Sequence, residues 1–237
     1  MNPFSRMNPV TRVIIPAINE ENSIAKVIAG IPKSLVSEVI VSDNGSSDNT
    51  PEIARQAGAT VLIEPAKGYG NACLKAIEYV KSLEEKTDII VFLDADYSDY
   101  PEEMTKIIVP IIEEDLDLVI GSRALGAMQK GSMTFPQIFG NWLSTRLINL
   151  FFGIKFTDLG PFRAIKYDKL LQLDMQDKNF GWTVEMQVKA AKKKFRCVEV
   201  PVSYRKRIGA SKISGTITGT VLAGHKILWT IFKNLLD

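Results

Sequence analysis

The 237-residue chain predicts a single α/β domain with a mostly parallel sheet covered by helices on both faces. Three observations carry that expectation. Short apolar runs alternate with stretches whose apolar residues recur three and four apart, the pattern of repeated strand–helix units. The runs lack the polar alternation of a sheet with one wet face, so both faces should be buried. Each of the first five runs also ends in a polar cluster, on the rim where open parallel sheets bind ligands.

In chain order, Arg12-Val-Ile-Ile-Pro16 is the first strand, and Asn19-Glu-Glu-Asn22 opens a helix through Ile24, Val27 and Ile28. Val39–Val41 is the second strand. Asp43–Asp48 makes a turn, and Thr50 with Pro51 starts the next helix, where a proline in the first turn is tolerated. Thr60–Ile63 is the third strand, followed by a helix over Asn71–Leu83. Ile89–Leu93 is the fourth, then a helix over Glu102–Glu113 that Pro110 should interrupt, then a fifth strand at Leu118–Ile120. Beyond Gly121 the rhythm changes. Gln137–Phe152 reads as an amphipathic helix with Phe139, Trp142, Leu143, Leu147, Leu150 and Phe151 along one side. Pro161–Ile165 reads as a strand, Thr183–Lys193 as a helix and Arg196–Tyr204 as a strand. A last helix, from about Thr216 to Leu236, carries an apolar band of Ile217, Val221, Leu222, Leu228, Trp229, Phe232 and Leu236.

Composition excludes several classes. A hydrophobic share of 46% and a charged share of 24% are those of a globular chain rather than a disordered one. Twenty-nine basic against 27 acidic residues give +2, too little for general nucleic-acid binding. The single histidine, His225, argues against His-rich zinc sites and His-centred triads, and is expected on a helix surface or in a packed contact. Cys73 and Cys197 each stand alone in apolar stretches and read as buried thiols of a reducing compartment. Met1–Thr11 has no apolar core of signal-peptide length. The longest apolar run, Leu147–Ile154, is broken by Asn149 and falls short of the roughly 20 residues of a membrane span. A cytoplasmic protein is expected, with a peripheral place at the inner face of the membrane left open.

The chemistry-bearing clusters are Pro16–Glu20, Asp43–Asp48, Lys67-Gly-Tyr-Gly70, Asp94-Ala-Asp96 and Gly121-Ser-Arg123. Two carboxylates two apart at a strand end can converge on a hard divalent ion; an Asx turn capping the next helix is the plainer alternative. Lys67-Gly-Tyr-Gly-Asn-Ala72 is not a dinucleotide fingerprint, because Cys73 replaces the third glycine and the segment follows the third strand. Close backbone approach to a sugar or phosphate is the expected reason for its glycines.

Together with Thr157-Asp158-Leu-Gly-Pro-Phe162-Arg163 and Gly209-Ala-Ser211-Lys212, these motifs, in this order and spacing, resemble family-2 glycosyltransferases of GT-A fold. Within that family they resemble the branch of dolichyl- and polyprenyl-phosphate mannosyl- and glucosyltransferases. The resemblance covers about residues 12–226. It implies one domain over 1–237, with a nucleotide-sugar-binding half at about 12–123 and an acceptor half at about 124–237. It further implies that Pro16, Glu20 and Asp43 border base and ribose, with Lys67 and Gly68 beside the nucleotide sugar. Asp94 would lie near ribose and phosphates, Asp96 would be the main ligand of Mg²⁺ or Mn²⁺, and Arg123 would face the pyrophosphate or the acceptor phosphate. Arg163, Arg207 and Lys212 would bind phosphates, Lys212 from a loop that closes over the donor. Ile18, Asn44 and Ser98 depart from the family's usual tyrosine, second aspartate and glutamine.

The expected reaction is transfer of a hexose, with inversion, from a UDP- or GDP-sugar to a polyprenyl (dolichyl-like) phosphate. The alternatives are a hydroxyl acceptor with Asp158 as general base, or a nucleotide-sugar-binding module without turnover. Asp158 could instead pair with Arg163, and Glu185 could be a surface carboxylate. Arg205-Lys-Arg207 could be a solvated loop, and Lys192-Lys-Lys194 a helix-end cluster offsetting the dipole. The last helix suits core packing, a homodimer seam or a membrane surface.

Overall fold

The computed structural model describes residues 9–209 and 217–236. The strands are β1 (Thr11–Ala17), β2 (Glu38–Asp43), β3 (Thr60–Ile63), β4 (Ile89–Phe92), β5 (Leu118–Ser122), β6 (Arg163–Lys166) and β7 (Cys197–Pro201). They form one sheet in the order β3-β2-β1-β4-β6-β5-β7. Every pairing is parallel except those of β6, which runs antiparallel between β4 and β5. The helices are α1 (Ile24–Gly30), α2 (Thr50–Gln56), α3 (Tyr69–Ser82), α4 (Met104–Glu113), α5 (Phe135–Phe152), α6 (Tyr167–Leu173), α7 (Trp182–Lys192) and α8 (Ile217–Leu236).

Alternate residues of the central strands feed two cores, one on each face. Ile14, Ile40, Ile90, Phe92 and Ile120 pack with Ala76, Ile148, Trp182 and Ile231 from α3, α5, α7 and α8. Val13, Ile15, Val41, Val91 and Val119 pack with Ile24, Ala54, Met104 and Ile107 from α1, α2 and α4. Burying both faces is why these strands read as continuous apolar runs. The thiol of Cys73 is buried in the first core, and Cys197 is half-buried; both are free.

Several boundaries differ from expectation. A short 3₁₀ turn, Pro101–Glu103, precedes α4, which runs through Pro110 instead of breaking there. Helix α5 starts two residues earlier, with Pro136 in its first turn and a capping box between Thr134 and Gln137. Helix α6 went unrecognised. The last helix turns much of its expected apolar band outward. Its buried positions are Thr230, Ile231 and Asn234, while Val221, Leu222, Trp229 and Phe232 are exposed. Helix α5 likewise buries Ser144, Thr145 and Ile148 and leaves Phe135, Ile138, Phe139, Trp142 and Leu150 exposed, Phe135 by 79%. The two helices meet where the tilted rings of Phe151 and Phe232 lie with centroids 5.7 Å apart. Among the described residues no helix is long and apolar enough to cross a membrane.

Candidate active site

Strand order reverses at β1, whose successor in the chain, β2, lies on one side while β4 lies on the other. The crevice beyond such a switch point is where α/β sheets hold ligands. A cavity of about 350 Å³ opens there, lined by Pro16 at the end of β1, Ile18 and Glu20 just after it, Asp94 and Asp96 after β4, and Lys67, Gly68 and Tyr69. A second, of about 300 Å³, adjoins it and reaches Arg123, Tyr204, Gly140 on α5 and Ile227 on α8. Tyr69, Asp94, Asp96, Asn179, Phe180 and Arg207 line both. The two carboxylates therefore stand in the shared wall.

Their surroundings fix them. Asp94 Oδ1 accepts from the Tyr69 hydroxyl at 3.0 Å. Burial, then the charge of Asp96, lifts the Asp94 carboxyl to about 7. Asp96 Oδ1 accepts from the amide and hydroxyl of Ser98, at 2.9 and 2.5 Å. Its Oδ2 faces Arg207 Nη1 at 3.1 Å, and Arg207 Nη2 reaches Glu20 Oε1 at 2.8 Å. Below this turn Asp99 is buried with neither carboxylate oxygen hydrogen-bonded, and desolvation pushes its pKa well up.

The donor set suits a divalent ion. Asp94 and Asp96 offer hard oxygen ligands in a cleft wall. Among the described residues no cluster of three or more His, Cys, Asp or Glu side chains could hold a metal ion, so further ligands would have to come from a bound phosphate or water.

On the β2 side, Asp43 Oδ2 accepts from the amides of Gly45 and Ser46, at 3.2 and 3.1 Å, while its buried Oδ1 has no partner. Asn44 ties the pocket together. Its amide group donates to the carbonyls of Glu64 and Ala66, at 3.1 and 2.8 Å, and its oxygen accepts from Gly68 N at 2.7 Å. An aspartate there could not donate to those carbonyls, which gives a structural reason for the departure seen in the sequence.

The glycines of Lys67-Gly-Tyr-Gly70 serve a different contact from the one expected. Gly68 has φ +140°, and a Cβ on it would lie 2.1 Å from the Lys178 carbonyl oxygen; one on Gly70 would lie 1.9 Å from that of Asp177. They admit the 177–181 turn, while Gly68 also lines the first cavity. That turn carries Asn179 and Phe180 into both cavities and is held to α8 by Asp177 Oδ2–Lys226 at 2.9 Å.

Arg123 and Asp158 form the main ion pair on the second cavity. Arg123 Nε and Nη2 donate to Asp158 Oδ2 and Oδ1 at 2.8 and 2.6 Å, and its backbone amide to Oδ2 at 2.7 Å. Burial alone would lower the guanidinium's pKa, but Asp158 more than reverses this and holds it charged. Arg123 also lies 5.0 Å from the centre of the Tyr204 ring.

Several sequence expectations need correction. Asp158 pairs with Arg123 rather than Arg163; both its oxygens are engaged, and it lines neither cavity. Arg163 is fully buried and donates to the carbonyls of Leu159, Gly160 and Thr183, behind the second cavity, and itself lines neither cavity. Desolvation brings its pKa down to about 10. Glu185 is buried, accepting from the amides of Gln176 and Asp177 and pairing with Lys189, so it is no surface carboxylate. Arg205 stacks over Tyr97 and Tyr100 at 3.4 and 3.9 Å, so its loop is anchored rather than simply solvated. Lys192 donates to the Asn234 carbonyl at 2.7 Å, and His225 is exposed on α8. Lys212 and the motif around it lie outside the described residues. Sequence reasoning missed Tyr69, Asp99, Asn179, Phe180 and Tyr204; of these only Tyr69, inside a glycine motif, carried a local signal.

This arrangement is that of a GT-A glycosyltransferase scaffold. The model of the family "Glycosyl transferase family 2" matches residues 12–173, and the chain belongs to that family and is a glycosyltransferase. Relatives include a dolichyl-phosphate hexose transferase of Haloferax volcanii, 30% identical over 214 residues, covering 89% of each chain. An undecaprenyl-phosphate mannosyltransferase of Micrococcus luteus is 30% identical over 218 residues, covering 87% of this chain and 88% of that one. Among solved structures, glucosyl-3-phosphoglycerate synthase from Mycobacterium tuberculosis, in complex with Mn²⁺, UDP and glucosyl-3-phosphoglycerate, shares the fold. Its TM-score is 0.75 at 20% identity, covering 95% of this chain and 80% of that one.

Proposed function

We propose that the chain transfers a hexose, with inversion, from a UDP- or GDP-sugar to a polyprenyl phosphate. The observation that carries this reading is one cleft in two compartments that meet at Asp94 and Asp96. The first compartment is lined by the segments that follow β1, β3 and β4. The second has cationic Arg123 and leads to the apolar helices α5 and α8.

In this reading Pro16, Glu20 and Asp43 border the nucleoside, with the unpartnered Asp43 Oδ1 waiting for a donor, and Lys67 and Gly68 flank the nucleotide sugar. Asp96 and Asp94 would hold Mg²⁺ or Mn²⁺, and the ion would supply positive charge against the leaving diphosphate. Arg123, fixed by Asp158, orients the acceptor phosphate, and Arg207 serves the phosphates from the wall that the two compartments share. An acceptor phosphate oxygen attacks the anomeric carbon from the face opposite the leaving group. That oxygen is already ionised near pH 7, so the step needs cations for alignment and no carboxylate base. The engagement of both Asp158 oxygens by Arg123 agrees with this.

A lipid acceptor requires a surface that meets the bilayer. Phe135, Phe139 and Trp142 on α5 and Trp229 and Phe232 on α8 are exposed aromatics, with Arg146 and Lys233 exposed on the same helices. Aromatics beside cations suit the headgroup boundary, so the protein sits peripherally on the inner face of the membrane.

Replacing Asp96 by alanine tests the site. The variant should retain its melting temperature and lose transfer together with the Mn²⁺-dependent stabilisation by a nucleotide sugar, which at 100 times Kd is worth about 2.7 kcal/mol. Near-normal transfer by Asp96→Ala would defeat the assignment.

A further inference from the structure

We propose that Arg207 competes with the divalent cation for Asp96 and thereby makes metal and nucleotide bind as a pair. This rests on the metal–nucleotide reading of the same site and adds how the site is loaded. Both oxygens of Asp96 are already engaged, Oδ1 by both donors of Ser98 and Oδ2 by Arg207 Nη1. A cation arriving at Oδ2 meets the positive charge of the guanidinium there and is repelled by it. Arg207 cannot retreat with its backbone, because that segment is bolted to the metal turn. Ile208 N donates to the Asp96 carbonyl and Arg205 N to that of Ser98, each at 2.9 Å, and Arg205 is clamped over Tyr97 and Tyr100.

Only the side chain can swing, and in leaving Asp96 it forfeits an ion pair. Its other anchor, Glu20, lies across the first cavity, and its Nε is buried without a hydrogen-bond partner. A diphosphate entering between Glu20 and Asp96 gives the guanidinium new acceptors and supplies the missing ligands to the metal. Each ligand thus removes the obstacle to the other, which is a coupling between sites and is reciprocal.

The experiment is Mn²⁺ binding followed by electron paramagnetic resonance and titration calorimetry, with and without UDP or GDP, in wild type, Arg207→Gln and Arg207→Met. Circular dichroism and melting curves certify the fold, and the glutamine variant serves if the methionine one is unstable. Wild type should bind Mn²⁺ weakly alone, and both variants should bind Mn²⁺ alone about tenfold more tightly, within the usual range of coupling. The gain from nucleotide should shrink correspondingly. An arginine that only contacts phosphates would leave metal-only affinity unchanged, and that result overturns the proposal while the wild type's nucleotide-dependent Mn²⁺ binding keeps the functional reading intact. No Mn²⁺ binding by any of the proteins, with or without nucleotide, overturns both.

Discussion

Arg123 and Asp158 are joined by two side-chain hydrogen bonds and a third from the Arg123 amide, so the carboxylate fixes both ends of the arginine that faces the second cavity. The pair is nearly dry, with side-chain exposures of 12% and 1%. Removing one partner of such a pair leaves an uncompensated buried charge.

Asp158→Asn should therefore cost about 3 kcal/mol of stability in urea unfolding. The double variant Arg123→Met with Asp158→Leu should regain most of that stability, because well-packed apolar residues replace buried pairs at little cost. It should regain none of the transfer. Recovery of transfer in the double variant would show that Arg123 does not touch the acceptor.

Asn44→Asp should weaken nucleotide-sugar binding and lower stability by about 1–3 kcal/mol, since it sets a carboxylate against two carbonyl oxygens. Thermal shift with and without donor measures both effects. An unchanged melting temperature would mean that the Glu64–Gly68 loop is held by other contacts.

Asp99 gives a pH signature. Its folded-state pKa is raised above the unfolded value by burial first and by Asp94 next. The native state therefore holds the proton to higher pH than the unfolded chain does. Stability is then greatest on the acid side and falls as pH climbs from about 4 through the raised pKa. Asp94, lifted to about 7, adds in the same direction. Asp99→Asn should flatten the slope between pH 5 and 8 and raise stability at pH 8. An unaltered slope in urea titrations would place the titration elsewhere.

The strand ends were legible because each apolar run stops at a polar cluster, so Glu20, Asp94, Asp96 and Arg123 could be placed on one rim from spacing alone. Arg163 was not. It stands within the same motif as Asp158, but a niche of three carbonyls draws it inward, and only the tertiary structure makes that niche. Phe180 and Asn179 reach the cleft from a turn whose position depends on Gly68 and Gly70 lacking side chains. The insertion of β6 between β4 and β5 could not be read from four residues. Helix α8 stayed open between core, dimer seam and membrane surface because it is apolar around much of its circumference. Periodicity alone could not tell that Ile231 faces the core and Trp229 the solvent.

The exposed aromatics supply another test. Wild-type protein should sediment with anionic lipid vesicles, and Trp142→Glu with Trp229→Glu should stay in the supernatant with unchanged Mn²⁺-dependent nucleotide binding. Equal sedimentation of wild type and variant would remove the α5–α8 face from any membrane role.

The central claim, sugar transfer to a lipid phosphate, is tested most directly by partitioning of radiolabel. Wild-type protein is incubated with Mn²⁺, polyprenyl phosphate and UDP- or GDP-hexose labelled in the sugar, and the mixture is extracted with organic solvent. The account predicts label in the organic phase as an acid-labile lipid-linked sugar, dependent on the lipid phosphate and absent in Asp96→Ala. Label that stays in water with every donor, or reaches a hydroxyl acceptor while polyprenyl phosphate is ignored, would contradict it.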